Sequence, residues 1–157
     1  MMKNCYCFYK KPLFKAILAG TLILFPLLIS AQNAKIKLWK NAENKHYRHL
    51  YSTITLYQPT DSLRNGASVI VCPGGSYHHL GLNHEGRQVA EWFRDQGFMA
   101  AVLRYRVSGH GFHHPAMIED IQRSIQWMRM NATLYQLDTN RVGVIGFSAG
   151  GHLADFN

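Results

Sequence analysis

The pentapeptide Gly146-Phe-Ser148-Ala-Gly150 matches the pattern G-x-S-x-G, in which a serine hydroxyl can attack a carbonyl carbon. An apolar run at residues 142–145 precedes it, and the residues that follow can start a helix. A nucleophile elbow requires this context, because the serine then lies strained at the tip of the turn with its hydroxyl clear of the sheet. Glycine at 146 and 150 lets strand and helix approach closely. We therefore predict that Ser148 is a nucleophile; the alternative is a glycine-rich turn with a capping serine.

A serine nucleophile needs hydrogen-bond donors for the oxyanion that forms on the substrate. The backbone N–H of Ala149, directly after the serine, is the first expected donor. The second is expected from Pro73-Gly-Gly-Ser-Tyr77, which follows an apolar run at residues 67–72. Gly75 and Ser76 are the candidates there, since glycine lets backbone amides turn towards a substrate. The alternative for this loop is an ordinary tight turn.

The serine also needs a base and an acid that orients the base. In enzymes built around a nucleophile elbow, the acid and then the histidine follow the serine along the chain. After Ser148 the sequence offers His152 and Asp155, both within two turns of the elbow helix. A base on that helix is expected to point into its own scaffold, so neither residue is assigned to the triad.

Histidines also form two clusters, His78-His79 and residues 110–114. Neither cluster has carboxylate or cysteine partners at zinc-ligand spacing, so we predict no metal and no cofactor. We interpret them as loop histidines at the rim of a cleft. Three aromatic residues are candidates either for a sugar-binding surface or for ordinary packing. These are Tyr77, Tyr105 and Trp127.

The elements that must position these residues follow from hydrophobic patterns. Residues 35–39 and 50–57 alternate polar and apolar side chains, which predicts an antiparallel strand pair at a sheet edge. Residues 67–72 and 98–103 are continuous apolar runs, typical of strands buried on both faces. A helix is predicted over residues 85–97, with Gly97 as its stop. The order strand, helix, strand, helix, strand predicts a parallel sheet with right-handed crossovers.

The second helix is predicted to open at Pro115. Its apolar face carries residues at spacings of three, four and three: Ile118, Ile121, Ile125 and Met128. On another side, Glu119 and Arg123 stand four apart and are expected to form an ion pair.

The N-terminus has the layout of a secretory signal peptide. Four lysines precede an apolar run of 14 residues, 16–29, which is followed by Ser30-Ala31-Gln32. Cleavage is expected after Ala31, so that residues 32–157 form the secreted or periplasmic domain. The alternative is a membrane anchor, for which about 20 apolar residues are needed, so no stable membrane span is expected.

Removal of the leader changes the charge and the cysteine count. The formal net charge of +8 includes the four leader lysines, and without them 13 basic residues face nine acidic ones, a net charge of +4. This mild charge, without a basic stripe, argues against a nucleic-acid partner. Cys5 and Cys7 leave with the leader, and the remaining Cys72 is expected to be a buried structural thiol that forms no disulfide. The sequence does not indicate an oligomeric state.

Several motifs, taken in order, resemble the acetyl esterase/lipase branch of the α/β-hydrolases. More narrowly, they resemble secreted bacterial carbohydrate esterases of the xylan-esterase or feruloyl-esterase type. The motifs are the Pro73–Tyr77 loop, Arg104-Tyr-Arg106, His114-Pro115, Glu119-Asp120 and Gly146–Ala154. The resemblance extends from about Leu50 to Ala154. It implies a three-layer α/β-hydrolase fold with a mostly parallel sheet, and an acyl-enzyme route on Ser148.

The resemblance implies that the substrate is a small-molecule or carbohydrate ester. Acetylated or feruloylated plant polysaccharide or oligosaccharide is the expected carbohydrate. This sequence departs from the family in two ways. Ser76 stands where the branch usually has a third glycine, and the later strands, acid and histidine have no counterpart. We therefore interpret the chain as the N-terminal portion of such an esterase, truncated after the elbow. Two alternatives remain open: a prolyl-oligopeptidase-type serine peptidase and a catalytically inactive fragment.

Overall fold

The computed structural model describes residues 33–39 and 52–155. The predicted leader, the first residues of the second predicted strand (Leu50 and Tyr51) and the last two residues of the chain lie outside these ranges. In the two described ranges, no helix is long and apolar enough to cross a membrane.

Within the described ranges, five strands form one mixed sheet. They are β1 (Lys35–Lys37), β2 (Thr53–Tyr57), β3 (Ser68–Cys72), β4 (Met99–Arg104) and β5 (Val142–Gly146). Their spatial order is β1-β2-β4-β3-β5. β3 pairs in parallel with both β4 and β5, whereas β1 pairs with β2, and β2 with β4, in antiparallel fashion. The predicted antiparallel pair at the edge of a parallel sheet is confirmed.

The central strand β3 is buried along its whole length, as its continuous apolar sequence predicts. Its last residue, Cys72, is 0% exposed. Burial disfavours the thiolate and raises the pKa of the Cys72 thiol to about 12. The prediction of a buried structural thiol is confirmed.

Helices cover both faces of the sheet, which gives three layers. The helices are α1 (Gln88–Asp95), α2 (Ala116–Met130), α3 (Ala132–Tyr135) and α4 (Ala149–Ala154). α1 packs Ala90 against Val69, Val71 and Ala100 on one face. α2 and α4 pack against the other face, where Ile121, Met128 and Leu153 join the larger core. The three-layer architecture predicted from the sequence is confirmed.

One helix boundary and one short helix differ from the sequence predictions. The first predicted helix does not begin at Glu85, because a π-helical turn, Leu82–Arg87, leads directly into α1. The helix stops before Gly97, whose φ of +87° lies in the left-handed region that glycine favours. The short helix α3 was not predicted; it covers only four residues, too few for a periodic pattern.

The predicted ion pair between Glu119 and Arg123 is wrong. Glu119 instead accepts a hydrogen bond from Nη2 of Arg106 at 2.9 Å. Arg123 donates to the carbonyl of Leu38 and to Gln126, and its guanidinium lies over the Trp39 ring. The i, i+4 rule describes an isolated helix, whereas a neighbouring strand end here supplies a buried guanidinium that attracts Glu119 more strongly.

A buried ion pair fixes the start of α2 to the end of β4. Asp120 is 0% exposed and Arg106 is 3% exposed. The backbone N–H and the Nε–H of Arg106 each donate to Oδ2 of Asp120 at 2.9 Å. The indole N–H of Trp39 donates to Oδ1 of Asp120 at 2.8 Å. This pair therefore holds together the chain after β1, the loop after β4 and the N-terminal part of α2.

Candidate active site

Ser148 lies at the sharp turn between β5 and α4. Its φ of +50° and ψ of −119° place a non-glycine residue in a sparsely populated region, and its side chain is exposed. A Cβ on Gly146 would overlap the carbonyl of Gly150, and a Cβ on Gly150 would overlap the carbonyl of Cys72. Both glycines are therefore required by backbone contacts, and the turn has the geometry of a nucleophile elbow.

The loop after β3 touches the elbow. The N–H of Phe147 donates to the carbonyl of Cys72 at 3.1 Å, which ties the two strand ends together. A Cβ placed on Gly74 would lie 3.1 Å from Cβ of Ser148 and 2.6 Å from the carbonyl oxygen of Phe147. The loop that contains the candidate donors Gly75 and Ser76 therefore begins in direct contact with the serine.

The candidate oxyanion donors have free amide N–H groups. Gly75, Ser76 and Tyr77 have φ values of +139°, +53° and +57°, an unusual run in which two residues carry side chains. Within the described part of the chain, the N–H groups of Gly75 and Ser76 donate to no protein acceptor. Ala149 is the first residue of α4, so its N–H has no intrahelical acceptor. All three amides are thus available to a bound oxyanion.

Three hydrogen bonds hold the first two residues of this loop, Pro73 and Gly74. The N–H of Gly74 donates to Oε2 of Glu85 at 2.8 Å, and the N–H of Gly81 donates to the carbonyl of Gly74 at 2.9 Å. The buried phenol of Tyr105 donates to the carbonyl of Pro73 at 2.7 Å. Sequence reasoning missed Glu85, since an acidic residue at the start of a predicted helix has an ordinary dipole explanation.

A mostly apolar cavity of about 300 Å³ lies beside this loop. It is lined by side chains from the loops after β3 and β4 and from α2 and α4, among them Tyr77, Phe112, Met117, His152 and Leu153. The carboxyl ends of the parallel strands meet at this edge of the sheet, where ligands bind in open α/β folds.

Tyr77 and His152 form a hydrogen-bonded pair at the cavity wall. Oη of Tyr77 and Nδ1 of His152 are 2.7 Å apart, with the two rings edge to face. Burial raises the pKa of the Tyr77 phenol above its ordinary value. The prediction that His152 points into its own scaffold is wrong: its side chain is exposed and faces Tyr77, one helical turn after Ser148.

The other singled-out histidines divide into two groups. His113 and His114 line the cavity, which fits the interpretation of cleft-rim histidines. His78 and His79 are exposed, with their rings edge to face. Among the described residues, no group of three or more histidine, cysteine, aspartate or glutamate side chains converges on a possible metal site.

The three aromatic candidates have different roles. Tyr105 is 1% exposed and supports the loop through Pro73. Trp127 packs against Tyr135 beside the core, so it is a packing residue, as is Tyr105. Only Tyr77 lines the cavity.

The site as described can supply a nucleophile and oxyanion donors. No side chain within residues 33–39 and 52–155 is hydrogen-bonded to the Ser148 hydroxyl, and Nδ1 of His152 is engaged with Tyr77. The arrangement therefore provides for attack on a carbonyl carbon and for stabilisation of the resulting oxyanion, the two local requirements of acyl transfer.

Comparison with known proteins gives related enzymes. An acetylxylan esterase from Xylanibacter ruminicola is 36% identical over 90 residues, which are 57% of this chain and 18% of that protein. Esterase LipC from Mycobacterium tuberculosis is 35% identical over 86 residues, 55% of this chain and 21% of that protein. The crystal structure of an acetyl ester-xyloside bifunctional hydrolase from Caldicellulosiruptor lactoaceticus superposes with a TM-score of 0.66 and 36% identity, over 78% of this chain and 45% of that one.

The chain thus spans 18% and 21% of the two curated relatives and 45% of the solved structure. The BD-FAE family model matches residues 54–157, which include β2, the loop after β3, the Arg106–Asp120 pair and the elbow. The crystal structure of an alpha/beta hydrolase enzyme from a Medee basin deep-sea metagenome library superposes with a TM-score of 0.63 and 28% identity, over 78% of this chain and 50% of that one. With most of its length matched by this model, the chain belongs to the BD-FAE family, and it has the α/β-hydrolase fold.

Proposed function

We propose that the whole protein is a serine carboxylic ester hydrolase that forms an acyl-enzyme on Ser148. The observation that carries this proposal is the contact between two strained segments. Ser148, at a φ of +50°, lies against a loop in which the N–H groups of Gly75 and Ser76 donate to no acceptor in the described part of the chain. Strained residues of this kind cluster at active sites, where the surrounding structure maintains them.

In the proposed reaction, Oγ of Ser148 attacks the ester carbonyl carbon, and the electrons of the carbonyl bond move onto its oxygen. The N–H groups of Ala149 and of Gly75 or Ser76 stabilise that oxyanion. Its collapse expels the alcohol, here a sugar hydroxyl, and leaves the acyl group on Ser148. Water then attacks the acyl-enzyme and releases the carboxylic acid. The acid and histidine that move the protons are not assigned in this chain.

Acetyl groups on a xylan-like polysaccharide or oligosaccharide are the proposed substrate class. Two of the similar proteins bear names that refer to acetyl esters, one to xylan and the other to a xyloside. The position of the cavity supports this proposal. The backbone N–H of His152 donates to the carbonyl of Ser148 at 3.0 Å, so His152, which lines the cavity, lies one helical turn from the serine. A mostly apolar cavity with a few polar groups suits a small acyl or sugar unit.

Reaction with an active-site probe tests this proposal. The reading frame is first sequenced beyond the codon for Asn157, and the encoded protein is assayed with 4-nitrophenyl acetate, acetylated xylan and a fluorophosphonate probe. We expect turnover and labelling, both abolished by Ser148→Ala. Cleavage of acyl-peptides without hydrolysis of the acetates would instead support the peptidase alternative.

Residues 32–157 alone provide a second test. We expect this fragment to show no burst of product with 4-nitrophenyl acetate and no labelling of Ser148 by the fluorophosphonate. The reason is that neither an acid nor a histidine is assigned to activate Ser148. Substantial turnover that Ser148→Ala removes would contradict this expectation and would require a base within the fragment.

We further propose that residues 1–31 are a signal peptide and that the protein is secreted or periplasmic. The basic leader and the apolar run support this proposal. Mass spectrometry of the exported protein should give an N-terminus at Gln32. A protein that retains Met1 and stays with the membrane would contradict it.

A further inference from the structure

A second cleft, the basic cleft, lies on the α1 face of the sheet. It encloses about 270 Å³, and Ser148 does not line it. Three basic side chains from separate segments line its wall: Lys35 of β1, Arg87 of the π-helical turn and Arg104 of β4. No aspartate or glutamate of the described ranges joins them. The lining therefore contains basic side chains and no acidic one, and Glu91, outside the lining, pairs with Arg87 alone among the described residues.

The strand register explains why these residues converge. Thr55 is the partner of Lys35 on one side and of Val102 on the other, and Thr53 is the partner of Arg104. Since paired residues point to the same face, the short hydroxyl side chains of β2 lie between long cationic side chains of both neighbours. With strands about 4.8 Å apart, the backbones of β1 and β4 are about 10 Å apart across the basic cleft. A lysine on one strand and an arginine on the other can therefore contact the same ligand.

Several polar side chains of the basic cleft have no ion-pair or hydrogen-bond partner among the described residues. Arg87 bonds to Glu91 at 3.1 Å, but Lys35 and Arg104 form no ion pair with any described residue. Oγ1 of Thr53 is buried without a hydrogen-bond partner, and the residue is 5% exposed. A buried hydroxyl without a partner is costly, so a polar group of a ligand in the cleft that reached Thr53 would gain by bonding to it.

We propose that the basic cleft binds an anionic monosaccharide unit. Its carboxylate or phosphate group would bind Arg104 and Lys35, because the planar guanidinium forms paired, charge-assisted hydrogen bonds to such groups. The ring hydroxyls would bind Thr53 and Thr55. A volume of about 270 Å³ exceeds what a bare oxyanion fills and is close to the lower end of small-molecule sites.

The position of the cleft relates this site to the proposed function, although its binding test needs no catalytic activity. β2 lies three strands from β5 in the sheet order, about 14 Å at the usual strand spacing. If Ser148 acts as proposed, an acidic sugar bound here would anchor a polysaccharide whose ester lies at the serine.

The test is calorimetric titration of the purified protein at low ionic strength with four probes: glucuronate, glucose 6-phosphate, inorganic phosphate and glucose. We expect both anionic sugars to bind roughly tenfold or more tightly than glucose, as charge-assisted hydrogen bonds require. Arg104→Gln and Lys35→Gln should each weaken glucuronate binding by about fivefold or more. Arg129→Gln removes an equal charge from an exposed position outside the cleft and should leave binding unchanged.

Melting curves of each variant show whether it folds, and Lys35→Gln, on an exposed strand position, remains informative if Arg104→Gln does not fold. Equal binding of glucose and glucuronate would overturn the proposal, as would equal losses in Arg104→Gln and Arg129→Gln. Inorganic phosphate that binds as tightly as glucose 6-phosphate would also overturn it, because the sugar would then contribute nothing.

Discussion

Replacement of Asp120 by alanine should destabilise the fold far more than any change at its exposed neighbour. The substitution removes the acceptor for the N–H and Nε–H of Arg106 and for the indole of Trp39. It also leaves the guanidinium of Arg106, 3% exposed, with the partly exposed Glu119 as its remaining carboxylate partner. Loss of one partner from a buried ion pair costs about 3–5 kcal/mol. We expect this loss in the free energy of unfolding, and a melting temperature lower by roughly 10–20 °C.

Urea unfolding followed by far-UV circular dichroism measures the loss. Glu119→Gln is the matched control, since the Glu119 side chain is 49% exposed and its ion pair should contribute about 0–1 kcal/mol. The double variant Arg106→Met, Asp120→Leu removes both charges and should recover most of the stability that Asp120→Ala loses. If Asp120→Ala and Glu119→Gln differ by less than about 1 kcal/mol, the pair does not hold α2 in place and the reasoning fails.

Three further predictions concern Gly150, Glu85 and Cys72. Gly150→Ala should lower the melting temperature sharply or prevent folding, because its Cβ would overlap the Cys72 carbonyl, whereas Gly143→Ala, whose Cβ would have a nearest neighbour at 3.8 Å, should change stability by less than about 1 kcal/mol. If the loop of Gly75 and Ser76 stabilises the oxyanion as proposed, Glu85→Ala should lower kcat for ester hydrolysis by roughly 10²-fold with KM little changed, because Gly74 loses its hydrogen bond to the Glu85 carboxylate. Glu85→Gln should restore part of the lost kcat, and an unchanged kcat in Glu85→Ala would contradict this role. For the Cys72 thiol, the folded-state pKa of about 12 lies above the reference value of 9.0, so its contribution to stability is complete below about pH 9 and is lost as the pH rises towards 12. Stability between pH 9 and 12 should therefore fall less steeply in Cys72→Ala than in the natural protein, and equal slopes would refute the assignment.

The sequence by itself determined the features that depend on neighbours along the chain. The elbow is one, because the glycines two residues before and after Ser148 answer to sterics within a single turn. The strands are another: the continuous apolar run of β3 and the alternation of β2 report how many faces each strand buries. The order of these elements and the handedness of crossovers predicted the parallel sheet, whereas the three-layer fold was implied by the family resemblance.

Tertiary structure alone decided which polar side chains meet. Glu85 binds Gly74 across 11 residues, Arg106 binds Asp120 across 14, and Tyr77 meets His152 across 75. The sequence held one clue: Asp120 lies on the buried stripe of α2 beside Ile121, where a carboxylate requires a buried cation.

The identity of that cation could not be read from spacing, and the i, i+4 rule gave the wrong partner for Glu119. Backbone sterics and hydrophobic periodicity act over a few residues, so they are legible in sequence. The choice of partner depends on which strand ends and loops reach the same edge of the sheet, and that edge exists only once the chain has folded.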